Sequence, residues 1–173
     1  ANGPDATVEF NLIEGGFKGP VMPVNPDHRS ISGVLAYKDI ASLPVTPDLA
    51  ILTTPLEEAP ALISELGARG TRAALLLSRE VLQDHSGARP ALLSQEMLRK
   101  YPDQGESLMQ QILAAAKPYL LRLIGPDHLG YAVPSANVNA SLNPTRPLPG
   151  HIALLCQSAA ITRSVIDWAT GRN

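Results

Sequence analysis

The sequence predicts an α/β fold built on a parallel sheet, and three observations carry that prediction. Short apolar runs recur at residues 49–52, 73–77 and 120–124, the last aliphatic at four of its five positions, as suits strands buried on both faces of a parallel sheet. Between them lie stretches with apolar residues at helical spacing, residues 56–66 and 106–117. Each run stops at a turn or cap: Thr53-Thr54-Pro55, Ser78 and Gly125-Pro126. Strand–helix–strand alternation of this kind gives parallel strands covered by helices.

Bulk properties narrow the function classes. At 173 residues the chain holds one domain or one and a fraction, and its 45% hydrophobic content suits a packed core. A net charge of −2 gives no basic field for nucleic acid or an anionic membrane. No apolar run approaches the roughly 18 residues of a membrane span. The single cysteine, Cys156, excludes an internal disulfide and fits a reducing, cytoplasmic setting. The four histidines show no metal-ligand spacing. With no initiator Met and an end at Asn173 inside a predicted helix, the chain is expected to be a piece of a longer protein.

Taken in order, the first seven residues are polar and turn-rich. Val8, Phe10, Leu12 and Ile13 then read as a helix closed by Gly15-Gly16. Residues 20–24 form a short strand limited by Pro20 and Pro23, and Asn25-Pro26-Asp27-His28 leaves it as a loop. Residues 37–43 read as one helical turn closed by Pro44. After the run at 49–52, Thr54 is an N-cap, Pro55 suits the first helical position, and Glu57 completes a capping box. Leu56, Ala59, Leu62, Ile63 and Leu66 supply the helix's apolar face, and Gly67 or Gly70 ends it. Residues 79–104 give no firm assignment beyond an amphipathic stretch at 91–98. Leu108, Ile112 and Ala115 mark the next helix, which feeds the run at 120–124.

That last run is read as a central strand. Gly125-Pro126 stops it, because proline has no N–H for a ladder. The following loop, with Asp127, His128 and Gly130, then leaves from a strand's carboxyl end, where open α/β sheets take ligands. Residues 131–149, rich in proline and asparagine, read as a linker. Residues 151–155 read as a new strand, and Ser158 as the N-cap of a helix over residues 159–170. Four strands, ending near Val24, Thr53, Ser78 and Ile124, are expected to lie parallel in one sheet, with residues 151–155 apart from it.

Candidate functional groups follow from these placements. Thr54 stands at a helix start, where backbone N–H groups and the helix dipole suit a pyrophosphate; the alternative is a plain N-cap. Ser158 offers the same pair of readings. His28 and Arg29 follow one strand, with a solvated loop as the alternative to ligand binding, and Ser78 and Arg79 follow another. Asp127 beside His128 permits acid–base chemistry or merely a structural turn. Cys156, at the end of an apolar run, reads as an inert thiol.

Longer motifs point to one family. They are Glu14-Gly-Gly-Phe-Lys-Gly-Pro-Val-Met-Pro-Val-Asn-Pro26, Asp48-Leu-Ala-Ile51, Gly125-Pro-Asp-His-Leu-Gly130, Leu142-Asn143, and Gly150 through Cys156-Gln-Ser-Ala-Ala160. This set resembles the N-terminal CoA-binding domain of the NDP-forming acyl-CoA synthetases, from about Glu14 to the last residue. Gly33-Val-Leu-Ala-Tyr-Lys-Asp-Ile-Ala-Ser-Leu-Pro44, Thr46-Pro-Asp-Leu-Ala50, Gln157-Ser-Ala-Ala160 and Asp167-Trp168-Ala169 look like the Pat-type bacterial protein lysine acetyltransferases, the branch fused to a GNAT domain.

The resemblance implies a Rossmann-like CoA-binding domain over residues 1–145 that lacks the family's first strand. It further implies the start of a flavodoxin-like, succinyl-CoA-synthetase-like domain over residues 146–173. It implies CoA or acetyl-CoA as ligand. The implied contacts are Val24, Asn25, Pro26, His28 and Arg29 for the adenosine and phosphate part, and Thr53, Thr54 and Pro55 against the cofactor. Ser78 and Arg79 follow at the next strand end, with Asp127 and Ser158 as further candidates. Departures from the family pattern are Asn2-Gly3-Pro4 in place of a glycine-rich turn, Asp127 where asparagine is usual, and Ser158-Ala159 in place of Ser-Gly.

The function implied first is a CoA- or acetyl-CoA-binding regulatory domain of a protein lysine acetyltransferase. Its partners would be C-terminal GNAT and ATP-grasp-like domains and protein lysines, with a homo-oligomer compatible. The alternative is part of an ADP-forming acetate–CoA ligase working through a phosphohistidine. A nicotinamide-dependent oxidoreductase is disfavoured, since there is no complete G-x-G-x-x-G and no acidic residue ending the second strand.

Overall fold

The computed structural model describes residues 4–77, 102–126, 128–156 and 158–172. In chain order the elements are α1 (Pro4–Glu14), β1 (Ser30–Ile31), β2 (Val34–Leu35), β3 (Leu49–Leu52), α2 (Ala59–Ala68), β4 (Ala73–Leu76), α3 (Pro102–Ala116), β5 (Arg122–Ile124), β6 (Gly130–Val133), β7 (Val138–Ser141) and α4 (Ala159–Thr170). They fall into two compact units, one of Ala1–Pro44 with His128–Asn173, the other Val45–Asp127.

The second unit carries the parallel sheet, in the order β3-β4-β5. Leu49 pairs with Ala73, and Ala73 with Arg122, so the three strands start level. β4 is the central strand, with Ala74, Leu75 and Leu76 buried. This corrects the placing of residues 120–124. Only Arg122–Ile124 form β5, which pairs on one side among the described residues, and both Arg122 and Ile124 are exposed. Leu120 precedes the strand in a left-handed conformation (φ 53°) and is 86% exposed. Apolar composition identified the strand but not its rank in the sheet.

Helices α2 and α3 pack together in this unit. Ala59, Ile63 and Leu66 form the buried face of α2, and Ile112 and Ala116 that of α3. The end of α2 is set by Gly70 at φ +95°. Its N–H bonds Gly67 O at 2.9 Å and the next N–H, of Thr71, bonds Leu66 O at 3.0 Å, the paired closure of a Schellman motif. Gly67 has a separate role: a Cβ there would lie 2.3 Å from the Tyr119 ring, so only glycine admits the ring this close.

Thr71, just past this cap, is buried, and its hydroxyl has no hydrogen-bond partner among the described residues. Replacing it by valine keeps the shape and removes an unsatisfied polar group, so Thr71→Val should leave stability unchanged or raise it by about 1 kcal/mol. Urea unfolding measures this; a loss of about 2 kcal/mol or more would show that the hydroxyl is satisfied.

The other unit is built on α1 and the β6–β7 hairpin, which pack together. Helix α1 starts at Pro4, earlier than the polar composition of the first seven residues indicated; proline fits a first helical position because its missing N–H is unused there. Gly16 (φ +74°) ends the helix as expected, with Phe17 N on Leu12 O at 3.3 Å. The buried face differs from the apolar reading. Val8, Glu9 and Asn11 are buried, while Phe10 and Ile13 are exposed. Asn11 wins a buried place because its side-chain Nδ2 donates to Ser141 O (2.8 Å) and Asn143 O (2.9 Å). Beyond them Ser141 Oγ bonds Asn139 Oδ1 at 2.6 Å, and Asn143 Oδ1 accepts from Thr145 N at 3.3 Å.

Residues 131–149 are therefore not simply a linker. β6 and β7 pair antiparallel, Gly130 opposite Ser141 and Val133 opposite Val138. Their turn is the three-ten segment Pro134–Ala136, closed by Asn137 in the left-handed region (φ 55°), a conformation asparagine tolerates. Three other expected elements are corrected. Residues 20–24 contribute only the parallel bridge Val24↔Tyr37 and lie outside the three-stranded sheet. Residues 151–155 form no strand, because no described strand is paired with them to complete a ladder. Residues 37–43 make a turn rather than a helical turn: Asp39 Oδ1 accepts from Ser42 N at 2.8 Å and Ser42 Oγ donates back to Asp39 O at 2.8 Å.

Candidate functional site

Two groups of expected site residues can be described, one in each unit. The first follows the bridge at Val24. Asn25 N donates to Tyr37 O and Tyr37 N to Pro23 O, both at 2.8 Å, which fixes where the chain leaves the bridge. The Asn25 side chain then folds the turn. Its Oδ1 accepts from Asp27 N (2.9 Å) and His28 N (3.0 Å) and lies 3.2 Å from His28 Nδ1. Such an Asx turn holds the loop from within. With Nδ1 oriented on Asn25, the other imidazole nitrogen is left for an outside partner. Pro26, His28 and Arg29 are exposed.

Arg29 also begins a small hairpin that the sequence reading left unassigned. Ala36 N bonds Arg29 O at 2.9 Å, and β1 pairs antiparallel with β2. Its turn residues, Ser32 (φ 47°) and Gly33 (φ 84°), both have positive φ, as a two-residue hairpin turn matched to strand twist requires. The Ser-Gly pair between Ile31 and Val34 was the available signal.

The second group lies at the carboxyl end of β3. Thr53 and Thr54 are half-buried and Pro55 is exposed. Helix entry differs from the capping box expected. A three-ten segment, Leu56–Glu58, comes first, with Pro55 (φ −51°, ψ 142°) in the capping position and no side-chain cap. α2 then starts with Pro60 in its first turn and again without a side-chain cap. Thr54 Oγ1 caps nothing: it is buried and has no hydrogen-bond partner among the described residues. A buried hydroxyl in that state calls for a partner, and this one sits at a parallel strand's carboxyl end, the usual ligand edge of an α/β sheet. These features fit a ligand rich in phosphate oxygens.

The remaining candidates separate. Ser158 is an N-cap as read: its Oγ accepts from Ile161 N at 3.4 Å. Cys156 stays within that turn, its sulfur accepting from Ser158 N at 3.4 Å. Ser78, Arg79 and Asp127 lie outside the described residues, as does the amphipathic stretch at 91–98. Among the described residues no group of three or more His, Cys, Asp or Glu is placed to hold a metal, and no helix is long and apolar enough to cross a membrane.

The chain is 29% identical over 162 residues to the alpha subunit of acetate–CoA ligase [ADP-forming] I from Pyrococcus furiosus, covering 91% of this chain and 31% of that protein. It is 29% identical over 153 residues to acetate–CoA ligase [ADP-forming] I from Archaeoglobus fulgidus, covering 88% of this chain and 20% of the relative. Thus the chain spans about a third or less of the curated relatives it matches. Among solved structures, the dinucleotide-forming acetyl-coenzyme A synthetase 1 of Ca. Korarchaeum cryptofilum, in complex with phosphate and ADP, superposes with a TM-score of 0.76. That match has 22% identity over 96% of this chain and 32% of the other, and it shows the shared α/β, Rossmann-like fold. Residues 7–134 match the sequence profile described as a CoA binding domain, and the chain belongs to that family.

Proposed function

We propose that the chain is the CoA-binding part of an ADP-forming acyl–CoA ligase. The observation that carries this reading is the family match over residues 7–134, together with the ligase names of the curated relatives. These relatives favour the ligase over the lysine acetyltransferase that the motifs at 33–44, 46–50, 157–160 and 167–169 implied. GNAT partnership and protein lysine substrates accordingly give way to ligase domains, including an ATP-grasp-like one. Residues 146–173 are kept as the proposed start of a succinyl-CoA-synthetase-like domain.

The roles proposed for the site residues follow their chemistry. Val24, Asn25 and Pro26 shape a turn that presents His28 and Arg29 to anionic groups of CoA. Thr53, Thr54 and Pro55 supply the buried hydroxyl and the N–H groups of the following turn. A three-ten start leaves its first N–H groups without helical acceptors, so they are available to phosphate oxygens. Ser78, Arg79, Asp127 and Ser158 remain proposed contacts on the strength of the motifs.

Activity in the assembled protein separates the two readings. Given acetate, CoA and ATP, it should form acetyl-CoA, ADP and phosphate. Transfer of acetyl groups from acetyl-CoA to protein lysines, with no acetyl-CoA made from acetate, would reverse the choice.

A further inference from the structure

We draw no further inference here: the strongest candidate, the exposed apolar stripe of Ile161, Val165 and Trp168 on α4 with exposed Ile152 and Leu155 earlier in the same segment, is an unpartnered face, and nothing in the structure shows what covers it.

Discussion

Gly130→Ala should destabilise the protein by roughly 3 kcal/mol, from strain and overpacking together. Gly130 opens β6 at φ +126°, a conformation open to glycine and strained for any residue with a Cβ. Space is short as well: an added Cβ would lie 2.3 Å from Ser141 Cα and 2.5 Å from Ala140 O. Both atoms are backbone of the partner strand, so no rotamer change relieves the clash. The β6–β7 register must open or the strand must twist away. Gly33→Ala is the control, since Gly33 also has positive φ (+84°) but nothing within 4 Å of the added carbon. It should show only a conformational penalty, about 1 kcal/mol. Urea unfolding of the two variants beside the parent measures both; equal losses would refute the close-approach argument.

Asn11→Ala is expected to be comparably damaging, at about 2–4 kcal/mol, because two buried carbonyls lose their donor. Those are Ser141 O and Asn143 O, which join α1 to the end of β7. Asn11→Asp makes the sharper comparison. It nearly preserves shape but replaces a donor with an acceptor facing two other acceptors. Aspartate should therefore be worse than alanine, in contrast to a site that responds only to lost volume. An Asn11→Asp variant as stable as the parent would overturn this account of the α1–β7 contact. Gly130 and Asn11 both act on the 141 position, so the double variant should not show the sum of the single losses.

How much of this was legible in sequence depends on the signal each part carries. β3 and β4 were readable because their apolar runs are continuous and end at turn residues, and the apolar face of α2 because Ala59, Ile63 and Leu66 keep helical spacing. The Ser158 cap was readable because its hydroxyl acts locally. Composition failed where long-range hydrogen bonding outranks hydrophobicity. Asn11 is buried while Phe10 is exposed, since the asparagine's two bonds are made to residues about 130 positions away. The same limit hid the β6–β7 hairpin, whose prolines and asparagines look like a linker until Asn137 is seen to supply the turn. Among the candidate residues, the Asn25 turn lies in the loop expected after residues 20–24. The Thr54 hydroxyl, expected as a cap, is instead a buried group without a described partner, because Pro55 and Pro60 divide the helix entry into two steps.

The central claim, that this chain binds CoA with His28 and Arg29 meeting its phosphates, is tested most directly by calorimetric titration with CoA and with dephospho-CoA, which lacks the ribose 3′-phosphate. Saturable binding of CoA, clearly weaker for dephospho-CoA, is the predicted result, since removing a phosphate removes charge-assisted contacts. Equal affinities would contradict the role given to His28 and Arg29, and the absence of any saturable CoA binding would contradict the claim itself.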